Sequence, residues 1–212
     1  MILDLFQGPM SVEKLADVFL VFIAVVMAIT LHECGHGFAA LAFGDTTAKD
    51  AGRLSLNPAK HYDPIGSTLF LVFGFGWAKP VPISLRQMSN PRLGGLVVSL
   101  AGPFTNIGIA AILALAWRGL GGAVSGYPEF LIHIAIMMNL YLAIFNLLPL
   151  PPLDGSHIIT YLLPIQAANS YERFISRYGQ ILVIMVILVG WPLLSSVVGG
   201  AAQLMYGLLV GG

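Results

Sequence analysis

Two histidines and a glutamate lie in the segment TLHECGHGFAALAFG, residues 30–44, whose other residues are mostly apolar or small. On a helix, His32 and His36 occupy positions i and i+4, so both imidazoles project to one side and can bind one metal ion. Glu33 lies beside them, close enough to take a proton from a water molecule without being a ligand. This HExxH pattern predicts a hydrolytic zinc centre, in which zinc lowers the pKa of a water molecule to about 7.

The composition of the chain places this chemistry in a membrane. Of the 212 residues, 57% are hydrophobic and 9% are charged, and the mean hydropathy is +0.85, which is more apolar than typical soluble domains. An ionisable group at the centre of a bilayer costs at least about 2.5–3.5 kcal/mol on insertion scales, so such groups usually line a functional cavity. The alternative, a polar contact between helices through His32 or His36, is the weaker interpretation.

A hydrolytic zinc site needs a third protein ligand and one open position. The candidates are Asp154, His157, His133 and His61. Asp154 follows three prolines that end an apolar helix, and Gly155 frees the backbone beside its carboxylate. A broken helix at membrane depth is tolerated where it lines a water-filled cavity, so Asp154 is the predicted third ligand. The three other histidines are expected to be interfacial, solvated or adjacent to the site rather than ligands.

Two further features limit the possible functions. The single cysteine, Cys34, excludes an intramolecular disulfide, and it lies about 200° around the helix from His32, which predicts packing rather than metal binding. Ten basic and ten acidic residues give a net charge of zero. This balance gives no indication of nucleic-acid binding.

Long uncharged segments predict the helices that position these groups. Residues 12–44, 93–117 and 129–148 have the length and composition of membrane-spanning helices, which need about 20 apolar residues. An amphipathic segment, residues 170–180, precedes either two short spans or one long one. The predicted fold is an all-α integral membrane protein of about five to six transmembrane helices. Since no internal repeat is visible, residues 1–212 are expected to form one domain.

Less regular segments separate the first two of these helices. Residues 44–64 and 79–92 are polar or rich in proline and predict loops, with short β-strands such as residues 53–56. Residues 65–78 would extend about 21 Å as a helix, which is short for a hydrocarbon core of about 30 Å. If they crossed the membrane, the two histidines and the aspartate would lie on opposite sides. They are therefore predicted to form a re-entrant segment.

The basic residues favour the same topology. With a re-entrant segment, eight of the ten lie on the side of the membrane nearer the zinc, whereas a full crossing would divide them six to four. Because basic residues favour the cytoplasmic side, the active site is expected toward the cytoplasm and the amino terminus outside. The eight are Lys49, Arg53, Lys60, Lys79, Arg86, Arg92, Arg173 and Arg177, and the other two are Lys14 and Arg118.

The motif HECGH on an apolar helix, followed far along the chain by NLLPLPPLDG, resembles the site-2 protease family of intramembrane zinc metalloproteases. The segments LNPAKHYDPIGS, GWAKPVP and SLAGPFTN are similar to a compact bacterial or archaeal branch of that family. The resemblance covers about residues 31–158. It implies a multi-pass zinc metalloendopeptidase of the cell membrane, with one Zn²⁺ per chain, that cleaves membrane proteins in or near their transmembrane segments. No separate PDZ or CBS domain is expected.

Two asparagines gain expected roles from this resemblance, which also implies the three zinc ligands and the general base named above. Asn146, eight residues before Asp154, is expected to bind the substrate or the oxyanion. Asn106, in SLAGPFTN, matches a family position inside the bundle and is assigned to the same group. Hydrogen bonding between helices is the alternative for both asparagines.

Three functions compete at this point. An intramembrane protease leads, a membrane metal transporter would also place histidines and an aspartate inside the bundle, and a catalytically inactive scaffold would keep the fold alone. Glu33 argues against transport, because a transport site needs no base at that spacing. The intact set of three ligands and a base argues against the scaffold. The expected partners are a transmembrane protein substrate and the lipid bilayer, while a homo-oligomer, the substrate's identity and the gating mechanism stay open.

Overall fold

The computed structural model describes residues 11–61, 63 and 79–211, and the predicted re-entrant segment, residues 65–78, lies outside them. Seven α-helices account for most of the described chain, with 3₁₀ turns at Pro58–Lys60 and Leu85–Gln87 and a π-helical turn at Val186–Gly190. The α-helices are α1 (Val12–Ala42), α2 (Thr47–Asp50), α3 (Pro91–Leu120), α4 (Tyr127–Asn146), α5 (Asp154–Leu162), α6 (Ile165–Met185) and α7 (Trp191–Val210).

Four helices in the described residues are long and apolar enough to cross a membrane: α1, α3, α4 and, within α7, Pro192–Val210. The chain is therefore an all-α membrane protein. The expected five to six spans are not reached in this part of the chain, because α6 carries Glu172, Arg173 and Arg177 along its polar half. Of the two alternatives for the tail, the structure has one candidate span after the amphipathic segment.

Local sequence signals begin and end the long helices. The Ser11 side chain accepts a hydrogen bond from the Lys14 N–H at the start of α1, and Asn90 does the same for the Leu93 N–H at the start of α3. Such side chains satisfy backbone donors that have no partner within the helix. Gly121, with φ of 54°, ends α3 in the left-handed conformation that glycine adopts without strain. The helix bounds thus follow from residues near each end.

Helices α1, α3 and α4 form the centre of the bundle. Gly35 of α1 faces Thr105 and the Ala101 carbonyl of α3 so closely that a Cβ atom at Gly35 would clash with them. On the opposite side of the bundle, Ala202 of α7 packs into a buried cluster with residues of α3 and α4, including Ala110 and Leu140. Small residues let membrane helices approach closely, and close packing is what holds them together in lipid.

The ends of these helices define two faces of the bundle. The Ser89 N–H, just before α3, donates to the carbonyl of Phe43, just after α1, at 2.8 Å. We call the side that holds Phe43 and Ser89 the proximal face. At the other end, the Arg118 guanidinium donates to the carbonyls of Leu208 and Val210 and so joins the ends of α3 and α7. Helix α1 therefore ends where α3 begins.

Helix α4 runs in the same direction as α1. Val21 and Ala24, in the first half of α1, pack against Ile134 and Met138 of α4. Because both helices begin on the same side, α4 also ends at the proximal face. The loop that follows α4 and the start of α5 are thereby placed near the end of α1, although more than 100 residues separate them in sequence.

A buried carboxylate anchors the loops at the proximal face. Asp45 has no exposed surface and accepts hydrogen bonds from the Thr47 N–H at 2.9 Å and the Ser84 N–H at 2.6 Å. Burial alone would raise the pKa of Asp45, but these hydrogen bonds outweigh it and lower the pKa below its ordinary value. Hydrogen bonds to a charged group contribute about 1.5–3 kcal/mol each. Asp45 thus fixes one end of the segment at residues 79–84.

The short strands predicted in the loop after α1 are not found among the described residues. Neither residues 53–56 nor residues 79–84 are paired in a strand. Several of their backbone N–H and C=O groups form hydrogen bonds with side chains instead. The Val81 N–H donates to Glu33 Oε2 at 2.8 Å, and the Ser55 carbonyl lies 2.9 Å from the Nε2 atom of His61. These contacts with side chains replace the strand pairing that the sequence pattern favours.

Candidate active site

Helices α1 and α5 bring three potential ligand atoms together. The Nε2 atoms of His32 and His36 are 3.1 Å apart, and Asp154 Oδ2 lies 3.2 Å from the first and 3.4 Å from the second. Metal-to-ligand distances of about 2.0–2.1 Å in a tetrahedral zinc site separate the ligand atoms by about 3.3–3.4 Å. The three atoms therefore match three corners of such a tetrahedron and leave the fourth open.

Both imidazoles present a lone pair at this point. His36 Nδ1 lies 2.7 Å from the carbonyl of Val98, which can only accept, so this nitrogen carries the proton. His32 Nδ1 lies 2.6 Å from Asn106 Oδ1, which also accepts. In each neutral ring Nε2 is then an acceptor, and the buried Asp154 Oδ2 has no hydrogen-bond donor among the described residues. Three acceptors so close together can share one cation, and this donor set suits zinc.

Two glycines create the space for this cluster. A Cβ atom on Gly102 of α3 would lie 2.5 Å from His36 Nε2 and 2.6 Å from His32 Nε2, so any side chain there would collide with both imidazoles. A Cβ atom on Gly155 would clash with the carbonyl of Leu148. Gly155 therefore lets the first turn of α5 rest against the end of α4, and this contact carries the preceding aspartate to the histidines.

Glu33 lies beside the cluster and is held by a backbone amide. Its Oε2 atom accepts a hydrogen bond from the Val81 N–H at 2.8 Å. Pro80 and Pro82 flank Val81 and have no N–H, so Val81 supplies the one backbone donor of that tripeptide. This contact holds the carboxylate at the wall of the cavity next to the two imidazoles and outside the group of potential ligands.

A cavity of about 620 Å³ opens in front of the cluster. In the described part of the chain, most of its wall is apolar and comes from α1, α3, the end of α4, the loop before α5, α5 itself and the segment at residues 79–85. Apart from the two histidines and two carboxylates already described, few polar side chains contribute to it. The polar side chains in the wall are His32, Glu33, His36, Ser99, Asn146, Asp154, His157 and Tyr161.

The two asparagines predicted to contact substrate lie in different places. Asn146 lines the cavity at the end of α4, and its Nδ2 atom donates to the Leu142 carbonyl at 3.0 Å. Asn106 is fully buried behind His32 and does not line the cavity. Its contacts go to His32, to the Ala28 carbonyl and to Asn139. The assignment of Asn106 to substrate or oxyanion binding therefore does not fit its position, and the alternative of interhelical hydrogen bonding does.

The remaining candidate side chains lie outside the metal cluster. His133 contacts Tyr206 and the ring of Trp117 near the opposite face. His61 is buried in the loop after α1, where the Ser55 carbonyl faces it, and the Sγ atom of Cys34 donates to the same carbonyl. His157, one turn after Asp154 on α5, lines the cavity without belonging to the cluster.

Sequence reasoning missed two residues at this site, Gly102 and Asn139. Gly102 lies within SLAGPFTN, the segment whose resemblance to the family gave a role to Asn106 and none to the glycine. Asn139 carried a usable signal, because it is an isolated amide within the apolar segment IAIMMNLYL. A polar group at that depth of a membrane helix usually has a partner on another helix.

Several known proteins are similar to this chain in sequence. The model of peptidase family M50 matches residues 120–189, which include Asp154. A Bacillus subtilis protein named "Putative zinc metalloprotease YwhC" is 43% identical over 188 residues, covering 82% of this chain and 85% of the relative. "Putative zinc metalloprotease Rip2" of Mycobacterium tuberculosis is 31% identical over 145 residues, covering 66% of this chain and 56% of the relative.

A more distant relative, "Zinc metalloprotease MJ0392" of Methanocaldococcus jannaschii, is 27% identical over 143 residues, which are 67% of this chain and 34% of that protein. No solved structure matches the chain. The resemblance predicted from HECGH and NLLPLPPLDG is confirmed by these matches. Since the identity to the Bacillus protein extends over most of both chains, this protein belongs to peptidase family M50, the site-2 protease family, and is a zinc metalloprotease.

Proposed function

We propose that this protein is an intramembrane endopeptidase that hydrolyses peptide bonds in or near the transmembrane segments of other membrane proteins. The observation that carries the proposal is the position of the three acceptor atoms. His32 and His36 lie on α1, which can span a membrane, and Asp154 begins α5, which packs against the helix bundle. All three residues line a largely apolar cavity. Membership of a peptidase family argues against the transporter and scaffold alternatives.

The chemical roles follow from the geometry. His32, His36 and Asp154 would hold one zinc ion per chain, which supplies water activation and polarisation of the scissile carbonyl. Glu33 takes a proton from the attacking water and delivers it to the nitrogen of the leaving amine. Asn146, in the cavity wall, is the amide placed to hydrogen-bond the backbone of the substrate.

The cavity wall indicates the kind of substrate segment it accepts. Among the described residues, no lysine or arginine lines it, and the walls away from the metal cluster are largely aliphatic or aromatic. A charged substrate side chain would lose its hydration there without gaining a partner, which is costly. Uncharged, apolar segments, such as those that span membranes, are therefore the preferred substrates. A helical segment must unwind locally in the cavity, since its carbonyls are otherwise hydrogen-bonded within the helix.

Replacing Asp154 with alanine tests both the ligand set and the function. We expect zinc affinity to fall by more than about 100-fold, beyond the 10- to 100-fold that follows loss of a supporting group, and cleavage to disappear with it. The measurements are zinc content of the purified protein and cleavage of a transmembrane peptide in proteoliposomes, with mass spectrometry to locate the cut. His133→Ala is the control and should retain zinc. Normal zinc in Asp154→Ala would remove this residue from the ligand set, and cuts confined to soluble segments would contradict intramembrane action.

We further propose that the proximal face lies in the cytoplasm and that zinc is held near that side. The Lys79 N–H donates to the His61 carbonyl at 2.9 Å, and the Arg53 guanidinium donates to the Lys79 carbonyl at 2.6 Å. Together with the loop contacts of Asp45, these bonds place the basic residues of both loops on one face. Basic loops favour the cytoplasmic side of a membrane.

Cysteine labelling tests this orientation. In a Cys34→Ala background, single cysteines replacing the exposed Lys49 and Ser89 should react with an impermeant reagent only from the cytoplasmic side. The matched control replaces the exposed Ser125, in the loop between α3 and α4, and should react only from outside. Labelling of Lys49→Cys and Ser89→Cys from opposite sides, or of both from outside, would contradict the proposed orientation.

A further inference from the structure

Two buried amides lie behind the metal cluster and have no place in the chemistry described so far. Asn106 of α3 is 0% exposed and Asn139 of α4 is 3% exposed. Neither lines the cavity, so neither can reach a substrate there. Burying an amide in an apolar helix bundle is unfavourable unless its hydrogen-bonding groups are paired, and such groups in membrane helices usually serve a function.

The orientation of both amides is determined by carbonyl groups of the backbone. Asn139 Nδ2 donates to the Ala135 carbonyl at 2.8 Å, which leaves Asn139 Oδ1 facing α3. Asn106 Nδ2 donates to that oxygen at 2.7 Å and to the Ala28 carbonyl at 3.1 Å. Both amide hydrogens of Asn106 are thus directed at acceptors, and its Oδ1 atom must face His32.

This orientation selects one form of the His32 ring. Asn106 Oδ1 lies 2.6 Å from His32 Nδ1, and an oxygen there requires the proton to be on Nδ1. The Nε2 atom of His32 then carries the lone pair that faces Asp154 and His36. A reversed Asn106 would place its oxygen against two other oxygens, which is unfavourable.

We propose that Asn106 and Asn139 are positioning residues that hold His32 in its metal-binding tautomer and orientation. The pair links three helices in series, from Asn139 on α4 through Asn106 on α3 to His32 on α1. The inference rests on the proposed ligand role of His32. His36 differs, because a main-chain carbonyl, that of Val98, faces its Nδ1 atom and cannot be reversed. His32 is therefore the ligand whose tautomer depends on side chains.

Substitutions at Asn106 separate positioning from simple packing. Asn106→Leu keeps the approximate volume but removes the acceptor, and we expect zinc affinity to fall by about 10- to 100-fold, as for other groups that orient metal ligands. Asn106→Asp, whose buried carboxyl is expected to stay neutral, keeps an oxygen toward His32 Nδ1 and can donate its O–H to Asn139 Oδ1. It should restore affinity to within a few-fold of wild type, even though it loses the contact with the Ala28 carbonyl. Asn139→Leu should have a smaller effect, because Asn106 retains the Ala28 carbonyl as a partner.

The measurements are zinc affinity, by competition with a chelator on the detergent-purified full chain, and the histidine tautomer, by nitrogen-15 NMR of the metal-free protein. In wild type the His32 proton is expected on Nδ1, and in Asn106→Leu a second tautomer should appear. Thr30→Val is the matched control, since Thr30 is buried on α1 and its hydroxyl bonds to the Val26 carbonyl of the same helix. This variant should leave both readouts unchanged.

Three results would overturn the proposal. One is unchanged zinc affinity in Asn106→Leu, with only thermal stability reduced. Another is an Asn106→Asp variant that loses zinc as completely as Asn106→Leu. The third is a His32 ring protonated on Nε2 in the wild type. Failure of the proposed function would look different, because a wild-type protein that does not cleave transmembrane peptides could still show the expected tautomer and zinc affinity.

Discussion

The Glu33→Gln variant is expected to bind zinc like the wild type and to lose proteolysis. Glutamine has nearly the same shape, and its amide oxygen can still accept the Val81 N–H, but it cannot take a proton from water. Loss of a general base typically lowers kcat by about 10²- to 10⁴-fold. The measurements are single-turnover cleavage of a transmembrane peptide in proteoliposomes and zinc content of the same preparation.

Glu13→Gln is the matched control, because Glu13 lies on the same helix, is exposed and is remote from the cavity. It should retain both zinc and activity. If Glu33→Gln lost its zinc, Glu33 would have to be reassigned as a ligand. If it kept wild-type activity, another group would have to accept the proton from water.

The Gly102→Ala variant is expected to lose zinc, although the change adds a single methyl group. The added Cβ would lie 2.5 Å from His36 Nε2 and 2.6 Å from His32 Nε2, which is closer than van der Waals contact allows. Either the imidazoles or α3 must move. We expect a fall in zinc affinity of more than about 100-fold, larger than the effect of removing a supporting hydrogen bond. Competition with a chelator measures it.

Gly108→Ala provides the control on the same helix. A Cβ atom at Gly108 would have no heavy atom within 4 Å, so zinc affinity should be unchanged. Alanine is also a better helix former than glycine by about 0.5–1 kcal/mol, and the thermal stability of this variant should be equal or slightly higher. Wild-type zinc affinity in Gly102→Ala would show that the metal does not need the two imidazoles in their observed arrangement.

The bounds of the membrane helices could be predicted from the sequence because their causes are local. The predicted segments, residues 93–117 and 129–148, correspond to the observed Pro91–Leu120 and Tyr127–Asn146. Length, hydropathy and capping residues act over a few residues and need no partner helix. The strand expected at residues 53–56 was not found for the opposite reason, since its conformation depends on partners outside the segment: the side chains of Cys34 and His61 contact the Ser55 carbonyl.

The chemistry of the candidate site was also largely readable from the sequence. His32, Glu33 and His36 share one helix, so their spacing alone places the imidazoles together. Asp154 was found from a local break in helix structure at LPLPPLDG, and the structure brings its carboxylate within 3.4 Å of both imidazoles. In each case a short segment contains enough information, because the geometry of a helix or of its end is nearly the same in every protein.

The sequence by itself determined the membrane class, the long helices, the two histidines with their neighbouring glutamate, and the choice of aspartate. Only the tertiary structure decided what surrounds them. Gly102 reaches the imidazoles because α3 packs closely on α1, and Asn106 lies behind His32 rather than in the cavity, where Asn139 of α4 accepts its hydrogen bond. These relations depend on the rotation and separation of neighbouring helices. The rotation and separation of two helices result from the packing contacts of the whole bundle, so they cannot be read from a short segment of sequence.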